Sequence, residues 1–261
     1  MKVISLQSGS NGNSFYVETG EVRLLFDAGI TGKQAETRLA GHGREIRDCQ
    51  ALFISHDHSD HSRCLGVYHR KFGLPVYLTR RTLRAASRDR NIGVLQDVRF
   101  FRPGESVEFA DRDGSPVSVH TIPTPHDSAE GVAFVVEHLG KRLGILTDLG
   151  HVFAGLRDVL LSLDAVVIES NYDPEMLEFG PYPEPLKQRI RGRGGHISNL
   201  ECADLVSRAS VFRRLRWACL CHLSEENNEP DLARETLQRV VDPSVAIHVA
   251  SRYDVSDVLE V

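Results

Sequence analysis

The 261 residues carry 31 basic and 36 acidic side chains and a formal charge of −5, so the chain as a whole is no polycation, and any nucleic-acid contact must come from local basic patches. An apolar content of 41% suffices for a sizeable core, and no window approaches the apolar run needed to span a bilayer. Cys49, Cys64, Cys202, Cys219 and Cys221 are odd in number and scattered. With no signal peptide at the N-terminus, they fit a reducing cytoplasm rather than a disulfide framework.

Lys2–Gln7 reads as a first strand, followed by the turn-forming run Ser8-Gly9-Ser10-Asn11-Gly12-Asn13-Ser14. Residues 15–18 and 22–26 form a hairpin that ends in Asp27-Ala28-Gly29, and a short helix is expected over 31–40. Ala51-Leu52-Phe53-Ile54 is an apolar strand that runs straight into Ser55-His56-Asp57-His58-Ser59-Asp60-His61. A helix is expected from Asp60 to Phe72, then a strand at 75–78 and a basic helix at 79–90. Strands at 98–101, 106–109 and 117–122 lead to Pro123-Thr124-Pro125-His126-Asp127. Two further strands, 131–137 and 142–147, precede Asp148-Leu149-Gly150. The pattern then turns to alternating elements. A helix spans 152–161 and a strand 165–169, followed by a loop rich in proline and glycine over 173–185 and a helix over 186–191. Gly194-Gly195-His196-Ile197-Ser198-Asn199 opens a helix over 200–211. A strand at 217–221 ends at His222, and a helix at 229–241 and a strand at 245–249 close the chain. No repeat or linker interrupts it, so residues 1–261 read as a single domain.

Three histidines and two carboxylates within six positions make His56 to His61 the densest ligand run. In an extended segment residues two apart point the same way, so His56 and His58 can close on one cation while Asp60 and His61 face a second. Imidazole and carboxylate suit zinc, manganese or iron. Asp27, His56, His126, Asp148 and His222 each follow a predicted strand. Five candidate ligands at five strand ends imply two sheets whose ends converge, which a sheet-on-sheet core with helices outside provides. Cys219 and Cys221 share a strand face and read as small core side chains, because no second cysteine pair completes a zinc set. Asp27 is either an acceptor behind the histidine loop or a helix N-cap. His196 follows two glycines at a helix start, where it either faces an anion or serves as a capping or core residue. Ser10, Asn11, Asn13 and their neighbours form either a phosphate-contacting loop or a polar approach to the hairpin. Asn227 and Asn228 are equally ambiguous. His42, His69, His120, His138, His151 and His248 have no partner pattern and read as surface or core.

This pattern resembles the metallo-β-lactamase superfamily, which implies an α/β (α+β) fold, a four-layer αββα sandwich with two metals at one edge. The resemblance implies that His56, His58 and His126 hold the first metal, that Asp60, His61 and His222 hold the second, and that Asp148 bridges both. Two divalent ions, zinc or manganese with iron possible, would share a hydroxide that attacks phosphorus or a carbonyl. The full ligand set is present, and His58 stands where the di-iron oxygen-reducing branch usually has glutamate. By the same resemblance Asp27 accepts a hydrogen bond near the histidine loop. Gly195-His196-Ile197-Ser198-Asn199 resembles the Gly-His-x-Ser motif of nuclease branches, in which the histidine faces the scissile phosphate.

Four stretches together resemble the YycJ/WalJ family of bacterial metallo-β-lactamase-fold hydrolases: residues 8–14, the H-x-H-x-D-H block, residues 171–199, and His222-Leu223-Ser224-Glu225-Glu226-Asn227-Asn228. The likeness spans nearly the whole chain and implies a 5′-to-3′ DNA exonuclease. Asp60, Asp148 and His196 would then be catalytic, and Ser10, Asn11, Asn13, His196 and Asn199 would contact substrate. One departure is Ser128, where the family pattern has alanine. The interval between Asp148 and His196 is too short for the cap domain of ribonuclease J. Other readings are RNA as substrate, a small phosphodiester, a thioester or lactam, and a metal-stabilised binding module without turnover. Basic runs at Arg80, Arg81, Arg84, Arg88 and Arg90, at Lys187 to Arg193, and at Arg208 to Arg216 add weaker support for nucleic acid, because two of the three flank His196 in sequence.

Overall fold

Apolar strand-forming runs, most of them buried on both faces, pair into two seven-stranded sheets. In the computed structural model, which describes residues 1–261, the first sheet contains β1 (Lys2–Gln7), β2 (Ser14–Thr19), β3 (Val22–Phe26), β4 (Ala51–Phe53), β5 (Val76–Leu78) and β6 (Val98–Phe100) in sequence order. The second is built from β7 (Ser106–Ala110), β8 (Pro116–Pro123), β9 (Val132–His138), β10 (Lys141–Leu146), β11 (Ala165–Glu169), β12 (Trp217–Cys221) and β13 (Ala246–Val249), again in sequence order. A short strand, β14 (Leu259–Glu260), pairs antiparallel with β1 and completes the first sheet.

Each sheet is antiparallel on one side and parallel on the other. β1 to β3 alternate in direction and β3 to β6 run parallel. β7 to β10 alternate and β10 to β13 run parallel.

Alternation along the strands decides which side chains enter which layer. Leu24, Phe26 and Phe53 point between the sheets, where they meet Phe134, Val136, Val167 and Cys219. Phe53 stacks on Phe26 at 5.3 Å and on Tyr77 at 4.9 Å between ring centres. The intervening Leu25 and Leu52 face outward onto α1 (Gly32–Gly41), α3 (Leu65–Phe72) and α4 (Arg80–Asp89). On the second sheet Val166, Ile168 and Leu220 face α5 (Leu156–Leu161), α8 (Asn199–Ser210) and α9 (Pro230–Gln238). The result is the expected αββα arrangement. None of the helices is long and apolar enough to cross a membrane.

The structure corrects several boundaries. The helix expected over 60–72 is two pieces, α2 (Ser59–Ser62) and α3. The break falls where the Cys64 N–H donates to the Ala28 carbonyl at 2.9 Å and Arg63 Nε donates to Gly29 O at 2.6 Å. Tertiary bonds there replace helical ones. The helix expected from 152 begins only at Leu156, because Gly155 takes a left-handed φ of 86°. The loop expected over 173–185 contains α6 (Pro174–Phe179). Asp173 caps it by accepting from the N–H groups of Glu175 and Met176, and Pro174 supplies the first turn. α7 (Glu184–Arg191) likewise starts earlier than the hydrophobic pattern suggests. The strand β14 has too little sequence to be read alone; β1 holds it, and Trp217 Nε1 donates to Glu260 O at 2.7 Å.

Candidate metal centre

Strands β3, β4, β10, β11 and β12 deliver their C-terminal ends to one edge of the sandwich, and the polar residues sit just past them. Asp27, Asp148 and His222 leave their strands with left-handed φ values of 64°, 53° and 54°. Such geometry is uncommon outside glycine and costs roughly 1–3 kcal/mol per residue. It turns the chain sharply, so that side chains ending neighbouring strands converge instead of running on with the sheet.

His56, His58 and His126 form one group of ligand atoms, and Asp60, His61 and His222 form a second. Asp148 touches both. Its Oδ1 lies 3.5 Å from His126 Nε2 and 3.6 Å from His222 Nε2, and its Oδ2 lies 3.1 Å from His61 Nε2. Asp60 Oδ2 is 3.4 Å from His61 Nε2 and 3.3 Å from His222 Nε2. His126 Nε2 and His58 Nδ1 approach to 3.2 Å.

Ring orientation is set from behind. Asp27 Oδ1 accepts from the Ser55 N–H at 2.8 Å, and both its oxygens lie 2.9 Å from Ser55 Oγ. His61 Nδ1 donates to Asp27 Oδ2 at 2.7 Å. The Ser55 hydroxyl proton is thus spent on Asp27, so His56 Nδ1 donates to Ser55 Oγ at 3.0 Å. His126 Nδ1 donates to the Gly195 carbonyl at 2.9 Å. For His56 and His126 the other ring nitrogen is left with a lone pair aimed into the cluster.

These residues fit divalent cations. His56 Nε2 and Asp148 Oδ2 are buried with no hydrogen-bond partner, an unfavourable state for a polar atom unless an ion satisfies it. Electrostatics agree. Burial works against the charged form of His61, yet Asp148, Asp27 and Asp60 overcome it and lift its pKa well above the usual value. Burial opposes His222 in the same way, and Asp148 with the Asp60 hydrogen bond raises it to about 9. Burial would raise the Asp148 pKa, but His222 and His61 hold it far below the ordinary carboxylate range. The carboxylates that raise His61 and His222 would equally favour a cation at this edge.

Gly29 makes the edge compact. A Cβ there would lie 1.6 Å from the Asp60 carbonyl and 2.5 Å from the Asn13 N–H nitrogen. Gly195, whose Cβ would lie 2.1 Å from Ile190 O, allows the same closeness behind His126.

A cleft of about 340 Å³ opens over the cluster, lined by Ser10, Ser59, Ser224, Tyr182, Leu186 and Arg189. His196 lines it too. It is not a helix cap; Ser198 caps α8 in a reciprocal pair with Glu201. Its Nδ1 donates to Glu169 Oε1 and stands 3.7 Å from Asp148 Oδ1. Glu169 is fully buried at the end of β11, and its Oε2 accepts from the N–H groups of Leu149 and Ile197. Sequence reasoning missed Glu169, although it ends a buried strand beside Asp148 and His222.

Of the other residues assigned to substrate from sequence, only Ser10 lines the cleft. Asn13 is buried, with its amide 3.0 Å from His61 Nε2 and 3.3 Å from Asp60 Oδ2, so it supports the histidine loop from within. Asn11 Nδ2 donates to Arg252 O. Asn199 is buried in a network with Ser170 and Asn228. Cys219 and Cys221 lie in the core between the sheets.

The αββα sandwich with this His/Asp edge defines a metallo-hydrolase class. The family model described as "Metallo-beta-lactamase superfamily" matches residues 8–192. The chain is 36% identical over 239 residues to exodeoxyribonuclease YycJ of Bacillus anthracis, covering 91% of this chain and 88% of that protein. To exodeoxyribonuclease WalJ of Streptococcus pneumoniae it is 35% identical over 234 residues, covering 89% and 85%. The chain therefore belongs to the YycJ/WalJ family of the metallo-β-lactamase superfamily. The crystal structure of the metallo-β-lactamase fold protein YhfI from Bacillus subtilis shares the fold, with a TM-score of 0.72 at 16% identity over 98% of each chain.

Asp27 offers a direct check on the support behind the ligands. Asp27→Ala leaves Ser55 and His61 Nδ1 without their acceptor, and metal affinity should fall roughly 10- to 100-fold. Competitive titration with a chromogenic chelator measures it, and unchanged affinity would separate Asp27 from metal binding.

Proposed function

We propose that the chain is a metal-dependent phosphodiesterase that degrades DNA from a 5′ end. The observation that carries this reading is the ligand cluster with Asp148 between its two halves, opening on a cleft that His196 lines. The relatives named exodeoxyribonuclease support DNA as the substrate.

His56, His58 and His126 would hold one ion, Asp60, His61 and His222 a second, and Asp148 both; zinc and manganese suit these donors. Bound there, the ions would supply Lewis acidity and activate water at neutral pH.

The chain's own groups perform the remaining work. Glu169 fixes the His196 ring through Nδ1, so Nε2 is the nitrogen free to meet a phosphate oxygen. Protonated, His196 can hydrogen-bond that oxygen or pass a proton to the leaving oxygen. Arg189 is held by Asp127 through two bonds of 2.6 and 3.0 Å, which keeps a planar cation on the cleft wall. Tyr182 and Leu186 give the cleft an apolar surface suited to a sugar or base.

The test uses purified protein and DNA labelled separately at each end, with manganese or zinc added. Stepwise loss from the 5′ end that a chelator abolishes is the expected result. Absence of cleavage with every metal, or loss from the 3′ end only, would overturn the reading.

A further inference from the structure

Most of the basic side chains that flank His196 in sequence are already engaged. Lys187 is buried and donates to Glu178 O, Arg191 pairs with Glu178, and Arg189 pairs with Asp127. Arg208 and Arg214 pair with Asp204 and Asp164, beyond the first turn of α8.

Arg193, Arg213 and Arg216 are exposed without an ion pair, yet none of them lines the metal cleft; a group of such arginines around one cleft lies elsewhere. Arg80, Arg81 and Arg84 on α4 and Arg102 after β6 line a cleft of about 620 Å³ with Phe100, Glu105 and Glu130. Arg80 and Arg84 are one helical turn apart and so share a face. Arg80, Arg84 and Arg102 are exposed and make no ion pair, while Arg81 is 3.7 Å from Glu130. Glu105 Oε2 is engaged by the Arg102 backbone N–H at 2.9 Å. The Arg80 guanidinium lies 4.1 Å over the Phe100 ring, a stack that holds the side chain extended and lessens the entropy lost when it binds an anion.

This cleft adjoins the metal edge. β5, which leads into α4, is the parallel neighbour of β4, which leads into the histidine loop. The segment after His126 lies between them. Ala129 N–H donates to Asp57 Oδ1 at 2.8 Å, and Thr82 Oγ1 of α4 donates to Glu130 O at 3.2 Å.

We infer that the Arg80–Arg84–Arg102 cleft is a second nucleic-acid site, which grips the phosphate backbone of a single strand several nucleotides from the bond being cut. It rests on the nuclease reading above. Neutral or anionic small substrates have no use for four arginines set apart from the ligands; a polyanion that reaches both places does. Phe100 adds an aromatic surface of the type that single-strand grooves use for bases.

The experiment compares wild type with Arg80→Gln/Arg84→Gln, and with the charge-reversed Arg80→Glu/Arg84→Glu as a second variant. Both pairs are exposed, and circular dichroism and metal content confirm the fold. Two readouts are taken: binding of a fluorescein-labelled DNA strand of about 20 nucleotides across a salt series, and kcat/KM for that strand relative to a dinucleotide. Loss of two phosphate contacts should weaken binding on the order of tenfold and reduce the log–log salt slope by about 1.4. The preference for the long strand over the dinucleotide should fall by a similar factor, further still with glutamate. If wild type degrades DNA while affinity, salt slope and length preference survive in both variants, the cleft is not a strand site and the nuclease reading stands. If wild type neither binds nor degrades any strand, both fail together.

Discussion

Asp148→Asn is expected to reduce hydrolysis on the order of 10³-fold and to lower the metal bound per chain. The exchange is nearly isosteric, and asparagine tolerates the left-handed backbone of this position, so the change tests charge rather than folding. Asp148 is the only side chain within 3.6 Å of ligand nitrogens from His61, His126 and His222 together. His222 and His61 keep it ionised against the penalty of burial. A neutral amide removes that negative charge and turns an N–H₂ toward nitrogens that should face a cation. Mass spectrometry of metal content beside single-turnover assays measures both effects. A variant with full metal occupancy and a rate within tenfold of wild type would refute the central place given to Asp148.

His196→Ala separates metal holding from turnover. The expected loss in kcat is about 10²- to 10⁴-fold, with metal content preserved. The geometry behind this expectation is the Nδ1 bond to Glu169, which commits one ring nitrogen to a buried carboxylate and presents the other to the cleft. Its ring also packs beside His126 and His222, at 5.0 and 5.2 Å between centres. A role confined to packing would therefore loosen those ligands and show as lost metal. Retained metal with lost turnover identifies a group that acts on substrate; lost metal with proportionate loss of rate would move His196 into the ligand set.

His56, Asp148 and His222 were legible because each stands at the end of an apolar run, where a strand must stop and a polar residue is otherwise out of place. A sheet-on-sheet core followed from the same regularity, since polar ends that converge on one site suit two facing sheets; the four-layer αββα form came from the family resemblance. Glu169 ends the run Ala165-Val166-Val167-Ile168 in the same way, yet it escaped notice because a single carboxylate carries no motif. Asn13 and Asn199 were misplaced for the opposite reason: a polar run looks like a surface loop in sequence. Only the fold reveals that close approach at Gly29 and the Ser170–Asn199–Asn228 network draw these amides inward. Charge clusters misled similarly, because Arg189 and Arg191 adjoin His196 along the chain but find their counter-ions on Asp127 and Glu178, and Lys187 is buried against the Glu178 carbonyl. Pairing depends on which side chains meet in space, which no single run of sequence records.

The sharp turns at Asp27, Asp148 and His222 restrict what evolution or an engineer can write there. Aspartate, asparagine and histidine are several-fold enriched in that conformation among non-glycine residues, and two of the three are also good metal donors. Valine or isoleucine would strain the main chain before any question of coordination arose. The vocabulary open to these corners is thus set by the polypeptide path as much as by the ions. An asparagine at 27 and 148 together would leave that path intact while stripping two charges from the edge, a starting point for an inert scaffold of the same shape.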